Sequence, residues 1–239
     1  MAKVISNVLQ WFGRLVKALI SVVLIPPIIG LALAMADRLT LVSVGARSFT
    51  EWMVRGGATY LGVHLLFYHP TTLFRLQHGL LSRVAVWLFG GQVATTGAKG
   101  EKSSKKSSKG KSEGSAAGST LLVVSPYLVP LYAILLCVVA WSLKHWWAPA
   151  FLDAVVAFLL GVSLAFHWVM TADDLQQHRD QFPFDTYLLT LAIIGLASLA
   201  VVSVCIPLVA PDCSIPALFG DALARTGGIY TSITHTLFF

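Results

Sequence analysis

His78-Gly-Leu-Leu-Ser-Arg-Val-Ala-Val-Trp-Leu-Phe-Gly-Gly-Gln-Val93 is a mostly apolar stretch that opens on a histidine and closes on a Gly-Gly pair. Its only charge is Arg83. A run of this length and composition reads as a helix that is buried in protein or in lipid. Its surroundings decide between the two, and they point to lipid.

The chain has 239 residues, of which 56% are hydrophobic and 12% charged. A soluble domain carries about 25% charged residues. Several apolar runs approach the roughly 20 residues that cross a bilayer as a helix. These numbers imply an integral membrane protein. The formal net charge is +6, and residues 94–120 hold six Lys against two Glu, so most of the excess sits in one segment. That segment is Lys, Ser and Gly with almost no large apolar side chain, the composition of a flexible loop. Such a loop explains the basic character without nucleic acid, and it suits anionic lipid headgroups.

Working outward, Ala18–Ala36 is the first span, and Pro26-Pro27 inside it should bend or break the helix, because proline lacks a backbone donor. Residues 1–17 are an interfacial helix or the start of that span. Ala34-Met35-Ala36 imitates a signal-peptidase site; the long apolar run favours an uncleaved anchor. Residues 37–55 form a charged surface segment. Gly56–His69 is a short second span or half of a re-entrant hairpin, ended by Pro70. After the 94–120 loop come Leu121–Leu143, then 149–170, then Thr186–Val209, and a weakly amphipathic tail, 214–239, suited to the membrane surface. The expected organisation is an N-terminal segment and first span over 1–36, a membrane domain over 37–213, and the tail. The fold class is all-α, polytopic, with five or six transmembrane helices. On a six-span count the side carrying 37–55, 94–120 and 171–185 holds ten Lys/Arg against six on the other. The positive-inside rule then puts the Lys loop in the cytoplasm, although a five-span count reverses part of this.

Cys137, Cys205 and Cys213 form no CxxC pair. They read as small buried hydrophobes, with one Cys205–Cys213 disulfide possible in an oxidising compartment. Trp141, Trp146, Trp147 and Trp168 suit interface anchoring, and His64 and His69 suit an interfacial polar role.

Candidate chemistry centres on His78. An HExxH zinc helix needs two histidines one turn apart with a water-activating Glu between them. Here the window reads His78-Gly79-Leu80-Leu81-Ser82, with Gly at the Glu position and Ser at the second His position. Further on, His167, Thr171, Asp174 and His178 follow at intervals of 4, 3 and 4 and would share a helical face. His78, Asp174 and His178 could in principle hold a metal. Alternatively, 171–185 is a solvated loop end with ordinary polar residues.

The order of pieces around the window resembles the site-2-protease-like (HExxH-type) membrane zinc metallopeptidases, a group of bacterial membrane proteins. The pieces are Pro70, His78, Trp87-Leu88-Phe89-Gly90-Gly91, Ser125-Pro126-Tyr127 with Pro130 and Tyr132, Phe166-His167, and Asp174 to Phe182. The resemblance covers roughly 60–205. It implies a site-2-protease-like core in a bacterial inner (cytoplasmic) membrane. It also implies His78 as the match for the first metal ligand and Asp174 for the Asp ligand. The missing Glu removes general acid–base assistance, worth about 10²–10⁴-fold. The missing His leaves a set short of the three protein ligands that catalytic zinc normally has. The chain is therefore expected to be a degenerate member with no catalytic residue, no cofactor and no bound metal. It would act as a pseudoprotease, an accessory or scaffold subunit that binds other transmembrane segments in a hetero- or homo-oligomer. The alternative is a divergent metal-dependent intramembrane hydrolase using zinc on His78, Asp174 and His178. No internal repeat supports a transporter.

Overall fold

A computed structural model of the protein describes residues 2–66, 71–89, 127–146, 149, 151–177 and 184–238. Among the described residues there are seven helices and one very short hairpin. They are α1 (Ala2–Thr40), β1 (Ser43–Val44), β2 (Arg47–Ser48), α2 (Phe49–Leu66), α3 (Thr71–Phe89), α4 (Leu131–Trp146), α5 (Leu152–Gln177), α6 (Phe184–Val209) and α7 (Ile215–Phe238). The fold is all-helical. The chain divides into two compact units, one of 1–71 with 128–239 and one of 72–127.

Trp11–Thr40 of α1, Leu152–Gln177 of α5 and Thr186–Val209 of α6 are long and apolar enough to cross a membrane. α4 is apolar but spans only 16 residues. The Lys-rich segment, His69, Pro70, Gly90-Gly91, Ser125-Pro126, Trp147 and His178 lie outside the described residues.

Inside the first unit, side-chain pairings fix how the helices run. Arg38 on α1 meets Asp221 on α7 at 2.6 Å, and Asp37 meets Arg225. Farther back along α1, a Cβ placed on Gly30 would lie 2.3 Å from Thr226 Oγ1. Farther still, Tyr230 donates to the Val23 carbonyl. α7 is therefore antiparallel to α1 and packed along it. Within the segment expected as a tail, 214–239, Ile215–Phe238 is thus a helix held against α1. α2 runs parallel to α5, since Met53 neighbours Gly161 while Tyr60 meets Phe166 edge-on at 5.8 Å. Lys144 near the end of α4 forms an ion pair with Asp153 in the first turn of α5, at 2.5 Å, and donates to the carbonyl of Val209, the last residue of α6. A cation suits a helix C-terminus and a carboxylate suits a helix N-terminus, so one ammonium joins three helix ends. Hence α1, α4 and α6 end where α2, α5 and α7 begin.

That common end corrects the charge grouping expected on a six-span count. Residues 37–55 and Lys144 sit at one end of this unit. The far end of α5, which carries 171–177, is at the other. The proline expectation also changes. α1 is one helix through Pro26 and Pro27, with no break.

The core lies between α1, α4, α5, α6 and α7, where Leu39, Leu160, Leu199, Ile206 and Leu218 are fully buried with Phe49 at the start of α2. α2 begins at Phe49, seven residues before the expected span, for a local reason. Ser48 Oγ accepts from the Glu51 N–H at 3.2 Å, the first half of an S-x-x-E capping box. The hairpin before it turns on Gly45, whose φ of +61° favours glycine. It pairs Val44 with Arg47.

Candidate functional site

α3 carries the His78 window. Its nineteen residues include no proline after the start, and Phe74, His78 and Ser82 recur at helical spacing, so they share a face. Ser82 Oγ lies 3.4 Å from His78 Nδ1, a long hydroxyl–imidazole contact. The His78 ring meets Tyr127 edge-on at 5.1 Å between centroids. Phe74 lies 6.4 Å from His78 and 6.2 Å from Tyr127. The histidine is thus one member of an aromatic cluster closed by the serine one turn on. Gly79 is exposed, and a Cβ added there would meet nothing within 4 Å.

α5 carries the second candidate. The helix continues through Gln177, so Thr171–Gln177 is not a solvated loop end. Thr171 and His167 are each 1% exposed, and Ser163 lies one turn before them, also buried. Asp174 is half-buried one turn on. The expected polar face is therefore helical across 167, 171 and 174, and Ser163 extends it. The sequence signal for Ser163 was available in its i−4 spacing from His167. The Oγ atoms of Ser163 and Thr171 are buried without a hydrogen-bond partner among the described residues. Beside this face, Tyr132 on α4 and Tyr60 on α2 both pack edge-on against Phe166, at 5.6 and 5.8 Å.

Other candidate residues have structural duties. His64 stacks on Tyr60 at 5.6 Å, its Nδ1 3.4 Å from the tyrosine hydroxyl. The Trp168 indole donates to Ser198 Oγ at 2.9 Å, tying α5 to α6. Trp146 is 88% exposed at the end of α4. All three cysteines are free thiols, so Cys205 and Cys213 do not pair. Burial pushes the Cys213 thiol up, with nearby Arg38 opposing. Among the described residues no three His, Cys, Asp or Glu side chains come together as a metal set.

Comparison with protein-family models, with curated proteins and with solved structures yields no match to this chain.

Proposed function

We infer that the chain is a polytopic integral membrane protein with a site-2-protease-like core that no longer does chemistry. On this reading it serves as a non-catalytic accessory or scaffold subunit that grips transmembrane segments of a partner. The observation that carries the reading is the environment of His78. Its imidazole is engaged by Ser82, one turn away, and by the rings of Tyr127 and Phe74. That is a packing role at the position where the resemblance requires a zinc ligand. The up-and-down run of helices in the first unit supports five or six passes, with α2, α4 and α7 traversing beside the three longer spans. The outer surface is suited to company in a membrane. Trp11, Phe12, Leu15, Leu19, Val22 and Val23 on α1 are all exposed. On α7, Gly220, Ala224 and Gly228 recur at intervals of four and leave the backbone open, as membrane helix contacts do.

The test is metal analysis of the full chain purified from its own membranes, together with identification of co-purifying subunits. The expected result is no stoichiometric zinc and a membrane protein partner that His78→Ala leaves in place. About one zinc per chain, lost in His78→Ala together with peptidase activity, would overturn the reading in favour of the metal-dependent hydrolase.

A further inference from the structure

Trp52, in the first turn of α2, belongs to two features at once. Its indole forms part of the wall of a groove of about 420 Å³ whose other lining residues are Phe151, Ala154, Val155, Phe158 and Leu159. Every one of these side chains is apolar. Phe151, Val155 and Leu159 are 61%, 43% and 41% exposed, so the groove opens outward and not into the core. From Phe151 to Leu159 it follows α5 for about 12 Å.

The same indole carries two cations. The guanidinium carbons of Arg47 and Arg55 lie 5.8 and 5.5 Å from its ring centroid. Other cations at this end of the unit are already paired: Arg38 with Asp221, Arg225 with Asp37, and Lys144 with Asp153. Arg47 and Arg55 have no ion pair among the described residues. Glu51, between them in sequence, pairs with neither; its backbone N–H is held by Ser48. The Trp52 Nε1 donor is itself buried with no acceptor among the described residues. Arg47 is positioned by the Gly45 hairpin through its pairing with Val44, and the hairpin is fastened to the core by Phe49, 1% exposed.

We propose that this is a binding site for one anionic phospholipid, with an acyl chain in the groove and the phosphate held by Arg47 and Arg55. Guanidinium groups suit phosphate because they present several donors in a fixed fork. A tryptophan at the junction of the two parts is where an amphipathic ring belongs, at headgroup level. The two halves select the occupant together. A free phosphate would leave the groove open, and a purely apolar occupant would leave both guanidiniums without a counter-charge. The site does not depend on the accessory-subunit reading.

The experiment is native mass spectrometry of the full chain in an uncharged detergent, titrated with phosphatidylglycerol and, separately, phosphatidylcholine. One phosphatidylglycerol should be retained per chain in preference to phosphatidylcholine. Arg47→Gln with Arg55→Gln should weaken that retention about thirtyfold, since each cation near the surface contributes roughly a fivefold factor. Val155→Trp fills the groove without changing charge and should weaken retention of phosphatidylglycerol as well. Arg14→Gln, toward the opposite end of α1, should leave it unchanged. Circular dichroism establishes that each variant is folded. Equal retention of the two lipids, equal loss in Arg14→Gln, undiminished binding in Val155→Trp, or full competition by inorganic phosphate would each overturn the proposal.

Discussion

Tyr230 on α7 donates its hydroxyl to the carbonyl of Val23 on α1, which is the carbonyl that Pro27 cannot serve. In a regular helix the N–H of residue 27 bonds the C=O of residue 23, and proline has no N–H. A partner helix therefore supplies the missing donor. Membrane helices tolerate internal prolines when neighbours satisfy the freed groups in this way.

Tyr230→Phe should lower stability by about 1 kcal/mol, the usual worth of one hydrogen bond. The decisive measurement is a double-mutant cycle by denaturant unfolding in micelles. Pro27→Ala restores the helical N–H, so Tyr230→Phe should then cost close to nothing. An undiminished cost in the Pro27→Ala background would show that the hydroxyl is not replacing the proline's donor.

How much of this was legible beforehand varies with the reach of the interaction. The expected 149–170 span overlaps α5 from Leu152 onward, and 186–209 lies within α6, because length and hydropathy are local properties. The unbroken α1 was not legible, since its compensation comes from Tyr230, 207 positions away. Nor was the packing of α7. On that helix Thr226, Thr231, Thr234 and Thr236 each donate to the carbonyl four residues back. That back-bonding hides the hydroxyls. Thr171 was readable as loop from its polar neighbours, but burial keeps it helical. The approach of Ser82 to His78 was legible from their spacing of four, whereas the part played by Phe74 and Tyr127 depends on tertiary packing.

Glycine substitutions should separate close packing from open surface. A Cβ on Gly161 would stand 1.8 Å from the Met53 carbonyl oxygen, and one on Gly56 would stand 1.9 Å from that of Phe158. Both obstacles are backbone, so α2 and α5 would have to move apart. Gly161→Ala should destabilise by at least about 1–3 kcal/mol, the scale of overpacking. Gly79→Ala meets nothing and should instead gain up to about 1 kcal/mol from helix propensity. Thermal melts of the two variants in one detergent check the contrast; similar midpoints would contradict the α2–α5 crossing.

Cys213 should react slowly with iodoacetamide at neutral pH. It is 3% exposed between α6 and α7, and burial raises its pKa while Arg38 only partly offsets this. The reactive species is the thiolate, so the onset of alkylation should lie at higher pH than for free cysteine. The linked stability has the same sign. The unfolded thiol ionises first, so this group's contribution is fully present below about pH 8.5 and is lost as pH rises through the folded value. Alkylation of Cys213 in the folded protein at the rate of free cysteine would contradict the burial.

Rebuilding the zinc window tests the resemblance itself. Gly79→Glu is sterically free, because its Cβ would meet nothing within 4 Å. Ser82→His places an imidazole one turn from His78, at a position whose present hydroxyl already reaches the His78 ring. Two histidines so spaced make a pair of nitrogen ligands, and catalytic zinc normally takes three protein ligands. On the resemblance the third is Asp174. On that resemblance the double variant should hold about one zinc per chain after dialysis, the natural sequence should hold none, and Asp174→Asn in the double-variant background should release the metal. Lesser retention that ignores Asp174→Asn would point to two-ligand binding on α3 alone. That result would sink the site-2-protease-like assignment of Asp174 while leaving the packing role of His78 as it stands. Circular dichroism of each variant separates a lost site from a lost fold.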